Sequence, residues 1–187
     1  MIDYYPIGLL KKIKTHIVNG GVIAYPTESC YGLGCNPFDY KAVDKIIKIK
    51  ERDPSKGMIV IASKQKQLEK LIQPIKLIDQ LEIDKYWPGF ITLVLPANLK
   101  NVPSNLLGKN KELAVRVSKH KYVIELCNYL NMPLVSTSAN KSGHKPIKTY
   151  ADCQKQFNHS VMVLPGLIGY AQNPSTIIDW QTRQILR

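Results

Sequence analysis

A dense group of cations follows a predicted helix in the first third of the sequence. Lys50 lies in the last turn of that helix, and Arg52 and Lys56 follow it in a turn-rich stretch. Cations clustered in this way can bind a polyphosphate through charge-assisted hydrogen bonds. Alternatively, they only complement the negative end of the helix dipole. A strand predicted immediately after the cluster favours the anion-binding interpretation.

A second candidate is the arginine that interrupts an apolar strand, in the segment Ala114-Val115-Arg116-Val117. An arginine buried on a core strand is costly unless it is paired. Its planar donor fork suits a carboxylate or a phosphate. The partner could be an acidic residue of the chain or a bound anion, and the sequence leaves both open.

Hydroxyl and amide side chains adjoin several predicted strands. Thr27 to Ser29 follow a strand directly, Ser136 to Asn140 follow another, and Ser175 opens a third, to which Arg187 could return from twelve positions further on. Open α/β sheets bind ligands beyond the carboxyl ends of their strands. Neutral donors suit phosphate oxygens and a ribose. Each segment alone is also compatible with a polar turn, and the sequence has neither a Walker A loop nor a GxGxxG loop.

The four cysteines form no clear catalytic or metal-binding set. Cys30 lies in the first polar segment, but a thiol nucleophile needs a nearby base. The four histidines, including His159, are distant in sequence, no CxxC pair occurs, and no histidine has zinc-like spacing to a cysteine. We therefore interpret Cys30 as a packing residue. Free thiols, no export signal and no membrane-spanning apolar run predict a cytoplasmic protein without membrane contact.

The chain is strongly basic: 26 Lys and Arg oppose 14 Asp and Glu in 187 residues, a formal net charge of +12. Such a balance predicts anionic partners, including nucleotides or RNA. Scattered lysines are equally compatible with a solvated coat. A protein that binds structured RNA, for example in ribosome maturation, is therefore the alternative to an enzyme, although no RNP-type aromatic pair or KH-type GxxG loop occurs.

The apolar spacing predicts alternating helices and strands, and hence one α/β domain. The predicted helices are 7–19, one capped by Asp39, 64–72 capped by Ser63, 75–85, 120–130 and 150–157. The predicted strands are 22–25, 58–62, 90–95, 113–117, 133–136, 161–164 and 176–180. The last strand is expected to form a hairpin with 184–187, and Thr149-x-x-Asp152 resembles a capping box.

Taken in order, six motifs resemble the YrdC/Sua5 family in its short, single-domain bacterial form: PTESCYGL, Lys50-x-Arg52, WPGFIT, AVRV, STSANKSG and NPSTIID. Each motif is weak alone, but the set is specific and extends from about Ile7 to the end of the chain. The resemblance implies an α/β fold of the α+β type, with a twisted mixed sheet flanked by helices and one basic concave cavity. It also implies a single domain over residues 1–187, with a core from about 7 to 187 and without the second domain of longer members.

The resemblance further implies a reaction: L-threonine, bicarbonate and ATP give threonylcarbamoyl-adenylate and pyrophosphate. Mg²⁺ is expected to accompany ATP, without a tightly bound organic cofactor. Other proteins are then expected to transfer the group to the adenosine beside the tRNA anticodon, with at most weak RNA contact by this chain. A module of a larger carbamoyltransferase is a third possibility, but such proteins have zinc-finger and acylphosphatase-like parts that do not fit into this length.

Site roles follow from the resemblance residue by residue. The implied threonine-binding residues are Thr27, Arg116, Ser136 and Ser175. The implied nucleotide-binding residues are Lys50, Arg52, Lys56, Ser138, Asn140 and Arg187, of which Lys50 and Arg52 are also the implied catalytic residues. Glu28 fits the family pattern, Cys30 stands where relatives commonly have Val, and no metal ligand is predicted.

Overall fold

A computed structural model describes residues 4–108, 111–157 and 160–187, which form five α-helices and eight strands. The helices are α1 Ile7–Val18, α2 Tyr40–Lys50, α3 Leu77–Ile83, α4 Lys121–Leu130 and α5 Tyr150–Phe157. The strands are β1 Ile23–Pro26, β2 Tyr31–Gly34, β3 Ile59–Ala62, β4 Ile91–Pro96, β5 Glu112–Val117, β6 Leu134–Ser138, β7 Met162–Val163 and β8 Thr176–Asp179.

All eight strands belong to one sheet in the order β7-β1-β2-β6-β3-β5-β4-β8. The pairs β1–β7, β3–β5 and β4–β8 are parallel, and the other neighbours are antiparallel. Strand β6 joins the two halves, because Thr137 and Ser138 pair with β2 while Leu134–Ser136 pair with β3. The predicted mixed α/β sheet is confirmed.

One face of the sheet carries most of the core. Val60, Val115 and Val135 point to this face from three adjacent strands and pack in one cluster with apolar residues of α2, α3 and α5. The alternation of strand residues between faces explains why every second residue joins this cluster. This part of the fold is an ordinary hydrophobic layer.

The opposite face is covered only in part. Ile61 of β3 and Leu134 of β6 lie in a second cluster with α1 and α4. Ile59 lies two residues before Ile61 on β3, and Ser136 lies two residues after Leu134 on β6, so both share this face. Ile59 and Ser136 pair with each other, but they line an open cavity instead of packing against a helix. The uncovered part of this face forms the floor of the cavity.

The secondary structure differs from the sequence prediction at two places. Tyr31–Gly34 is a strand that the sequence did not predict, and a Cβ at Gly34 would lie 2.6 Å from both the Tyr25 ring and the Val135 carbonyl oxygen. Its glycine therefore serves a close approach between strands. The predicted helix 64–72 is only the 3₁₀ turn Gln65–Leu68, because Ser63 hydrogen-bonds the Gln67 and Asn128 side chains instead of capping a helix.

The remaining predicted elements are present, with ends shifted by a few residues. Asp39 caps α2 by accepting from the Ala42 amide, and Thr149 accepts from the Asp152 amide at the start of α5. The C-terminal hairpin also forms, with Ile178 bridged to Ile185. Within the described ranges, no helix is long and apolar enough to cross a membrane.

Candidate active site

The cavity has a volume of about 770 Å³ and lies over the uncovered part of the sheet. That volume is typical of small-molecule binding sites. Seven of the predicted site residues line it: Thr27, Arg52, Arg116, Ser136, Ser138, Ser175 and Arg187. They come from the first third, the middle and the end of the sequence, and the sheet topology brings them together.

Arg116 lies on the cavity face of β5 and is only 5% exposed. Its Nη2 donates to Glu28 Oε2 at 2.8 Å, so the internal partner that the sequence left open is Glu28. Its Nε is buried and has no hydrogen-bond partner among the described residues, and its guanidinium lies 4.9 Å from the centre of the Phe90 ring. Arg116 therefore has an internal partner and still lacks one for a buried donor.

Three arginines share the cavity, although like charges repel. Burial lowers the pKa of Arg52, Arg116 and Arg187. The charge of Arg187 lowers the pKa of Arg52 further, and that of Arg116 lowers the pKa of Arg187. All three remain charged at neutral pH, because an arginine side chain does not lose its proton in proteins. Their convergence creates a positive potential that favours anions.

The arginines at the rim are anchored by the backbone. Arg52 donates from Nε to the Lys56 carbonyl oxygen at 3.1 Å and from Nη2 to that of Gly57 at 2.8 Å. Arg187 donates from Nε and Nη2 to the Ser175 carbonyl oxygen, both at 3.2 Å. The C-terminal hairpin thus brings the last residue back to the site.

The hydroxyl groups of the cavity are partly engaged with the protein. Thr27 Oγ1 donates to the Cys30 carbonyl oxygen at 2.7 Å, and the Ser175 hydroxyl lies 2.8 Å from that of Thr92. A hydroxyl group has one donor and two acceptor positions, so these contacts leave each of them able to meet a further polar group. Ser136 adds a third nearly buried hydroxyl on the floor.

Three predicted nucleotide-binding residues do not line this cavity: Lys50, Lys56 and Asn140. Lys50 is only 2% exposed, and its Nζ donates to the carbonyl oxygens of Ser138 and of Asn140, the latter at 2.8 Å. Burial, together with the charge of Arg52, lowers the pKa of Lys50 to about 8. Lys50 therefore braces the loop that supplies Ser138.

Asn140 has a similar bracing role on the other side of the loop. Its Nδ2 donates to the carbonyl oxygens of Lys141 and His144, at 2.8 and 2.7 Å, while its Oδ1 is buried without a partner among the described residues. Lys56 is exposed and meets the site only through its carbonyl oxygen, which holds Arg52. The nucleotide-binding roles of these residues remain predictions.

Two cavity lysines were missed in the sequence. Lys145 and Lys148 line the cavity from the segment that follows the Ser-rich loop. In the sequence they look like the other lysines of a basic chain, and no pattern separates them from a solvated surface. Only their position close behind the STSANKSG motif could have indicated a role.

Among the described residues, the cavity shows neither an activated thiol nor a cluster of three or more side chains suited to a metal. Cys30 lines the cavity, but burial raises the pKa of its thiol, which favours the unreactive protonated form. No group of three or more His, Cys, Asp and Glu side chains suited to a metal occurs among the described residues, which exclude His159. The arrangement instead offers cations and hydroxyls to an anionic molecule.

A family model described as Sua5_yciO_yrdC, telomere recombination, matches residues 15–187. The chain belongs to this family. A threonylcarbamoyl-AMP synthase from Chromobacterium violaceum is 44% identical over 179 residues, covering 96% of this chain and 92% of the relative. A threonylcarbamoyl-AMP synthase from Laribacter hongkongensis is 42% identical over the full length of both proteins.

The fold has a matching solved structure. The crystal structure of P. abyssi Sua5 complexed with L-threonine aligns with 95% of this chain at a TM-score of 0.86 and 29% identity. This chain spans only 52% of that protein, whereas it spans nearly the whole length of the two bacterial relatives.

Proposed function

We propose that the chain is a threonylcarbamoyl-AMP synthase, a nucleotidyl-transferring enzyme that makes threonylcarbamoyl-adenylate and pyrophosphate from L-threonine, bicarbonate and ATP. The observation that carries this proposal is the arginine- and hydroxyl-lined cavity in a chain of this family. Relatives with this name match it over nearly their full length. The volume and the positive charge of the cavity suit a nucleotide and a small carboxylate together.

Threonine is assigned to the inner end of the cavity. Arg116 holds its carboxylate through donors that Glu28 does not occupy, since a guanidinium binds a carboxylate with two parallel hydrogen bonds. The hydroxyls of Thr27, Ser136 and Ser175 surround the rest of the amino acid. These positions fix the amine, which adds to CO₂ derived from bicarbonate and loses a proton to form a carbamate.

ATP is assigned to the outer end, near Arg52 and Arg187. A carbamate oxygen attacks the α-phosphorus, the bond from that phosphorus to the pyrophosphate oxygen breaks, and pyrophosphate leaves. The chain contributes by placing two anions in contact and by balancing the charge that develops on the phosphate. Positioned cations and hydroxyls are sufficient for this, and no catalytic Ser-His or Cys-His pair is required.

The metal, the downstream partner and the location are part of the proposal. Mg²⁺ is assigned to the ATP phosphates as part of the substrate, because the Glu28 carboxylate beside Arg116 is already engaged by Arg116 and Ser118. The adenylate is passed to the machinery that modifies tRNA beside the anticodon. The free cysteines agree with a reducing, cytoplasmic location.

The test is pyrophosphate release by the purified chain with ATP and Mg²⁺, with threonine and bicarbonate added or omitted. We expect release only when both are present, and its loss in Arg116→Gln but not in the control Arg183→Gln. Arg183 is an exposed arginine that pairs with Glu82 outside the cavity. Release that ignores threonine contradicts the proposal. Salt-sensitive RNA binding that survives Arg116→Gln, without turnover, would favour the RNA-binding alternative.

A further inference from the structure

Glu28 lies directly beside Arg116 but does not line the cavity. Its two carboxylate oxygens have separate partners: Oε2 accepts from Arg116 Nη2 at 2.8 Å, and Oε1 accepts from Ser118 Oγ at 2.6 Å. Ser118 is completely buried two positions beyond Arg116 on the chain. One carboxylate therefore connects the functional arginine to a fixed hydroxyl.

The hydroxyl of Ser118 is itself held in place. It accepts from the backbone amide of His120 at 2.9 Å, just before α4 begins. With its own proton donated to Glu28, Ser118 has a defined direction for its hydrogen bond. The chain of contacts from the His120 amide to Arg116 therefore fixes each group through the next.

The backbone of Glu28 is anchored as well. Its carbonyl oxygen accepts from the Ala171 amide at 3.1 Å, and that of neighbouring Thr27 accepts from the Gly169 amide at 2.9 Å. These two backbone hydrogen bonds from the segment around Gly169 thus hold the polar segment that follows β1 in place. Glu28 is held at both its backbone and its carboxylate.

This arrangement addresses a physical difficulty. A long arginine side chain has several rotamers, and Arg187 in the same cavity repels Arg116. The Glu28 carboxylate offsets that repulsion and engages one edge of the guanidinium, while Phe90 covers a face of it at 4.9 Å. The buried Nε is left without a partner among the described residues. The guanidinium is thereby oriented before any ligand arrives.

We propose that Glu28 and Ser118 are positioning residues: through Arg116 they orient the donors that hold the carboxylate of the amino-acid substrate. The inference rests on the proposed function, because it assigns that carboxylate to Arg116. Neither residue touches the substrate. Their removal should weaken recognition of the substrate carboxylate and leave ATP binding largely intact.

The experiment compares Glu28→Gln and Ser118→Ala with the wild type. Each is assayed for the KM of threonine, the KM of ATP and the preference for threonine over threoninamide, which lacks the carboxylate. Glu82→Gln is the matched control, because it removes the same charge from an exposed Glu–Arg pair, with Glu82 Oε2 2.9 Å from Arg183 Nη2. All variants are also compared by thermal unfolding.

In Glu28→Gln we expect the KM of threonine to rise by about tenfold or more, since charge-assisted hydrogen bonds are among the strongest in proteins. The KM of ATP should change less than about twofold, and the preference for threonine over threoninamide should fall in parallel with the threonine effect. Ser118→Ala should show the same pattern with a smaller size, and it keeps the test available if Glu28→Gln does not fold. Glu82→Gln should match the wild type.

The inference is overturned if both KM values rise together, or if the preference for threonine over threoninamide stays at its wild-type value. Either result would mean that Glu28 only stabilises the fold. The proposed function fails separately, if the wild type itself shows no turnover that depends on threonine and bicarbonate. The two failures are thus distinguished by the wild-type assay alone.

Discussion

The titration of Lys50 should add to the free energy of unfolding as the pH rises from neutral to alkaline. Its side chain is 2% exposed, and burial together with the charge of Arg52 lowers its pKa to about 8 from an ordinary 10.5. Between these two values the unfolded chain binds more protons than the folded one. Lys50 therefore lowers the free energy of unfolding below about pH 8, and this loss is recovered as the pH rises from about 8 to 10.5.

The size of the effect follows from the two pKa values. From about pH 7 to about pH 9.5, the free energy of unfolding should gain about 2 kcal/mol from Lys50. This value is an upper bound, since the two carbonyl acceptors of Nζ also favour the charged form. Lys50→Met lacks the titrating group and should lack this gain.

The assay is urea unfolding of the wild type and Lys50→Met at several pH values, with the difference in free energy plotted against pH. Subtraction of the variant removes the contribution of every other group that titrates alike in both proteins. Lys48→Met serves as the control, because Lys48 is 75% exposed and pairs with Asp44. A wild-type-minus-Lys50→Met difference that stays constant with pH would refute the reasoning.

Three further results are expected. Binding of a non-hydrolysable ATP analogue near pH 8 should take up a fraction of a proton, because a phosphate near Lys50 raises the pKa of that side chain. Calorimetry in two buffers measures the uptake. No uptake, or uptake that persists in Lys50→Met, would exclude Lys50 as a phosphate ligand. Arg187→Ala should raise the KM of ATP by about tenfold and that of threonine far less, with Arg183→Ala as the control; equal effects would contradict the nucleotide assignment. Gly169→Ala should lose about 1–3 kcal/mol of stability, because the added Cβ would lie 2.7 Å from the Glu28 carbonyl oxygen. The control Gly8→Ala in α1 places its Cβ where nothing lies within 4 Å, and it should gain up to about 1 kcal/mol. Equal melting temperatures of the two variants would contradict this packing.

Much of the fold could be predicted because local signals and burial agree. Asp39 and Thr149 mark helix starts through short-range hydrogen bonds, and apolar alternation marks most strands. Strand β2 was missed because its glycines look like turn residues. The space that excludes a Cβ at Gly34 is created by Tyr25 and Val135, which no local pattern reveals.

In the site, too, residue types could be recognised from the sequence, whereas their partners could not. Arg116 stood out because a charge on an apolar strand needs a partner, but the identity of Glu28 depends on a contact across 88 positions. Lys50 was expected to face a phosphate, yet its ammonium contacts backbone carbonyls. Lys145 and Lys148 could not be separated from surface lysines by type alone. Residue type indicated the chemistry, and the sheet topology determined which residues meet.

The partly covered sheet face has a consequence for the lifetime of the protein. Helices α1 and α4 cover one end of that face, and under the proposed function ATP and threonine would cover the other end when they bind in the cavity. Ligands that bind only the folded chain stabilise it by mass action, by about 2.7 kcal/mol at one hundred times the dissociation constant. Substrate binding should therefore raise the free energy of unfolding, and the protein should be more sensitive to proteases when its substrates are scarce.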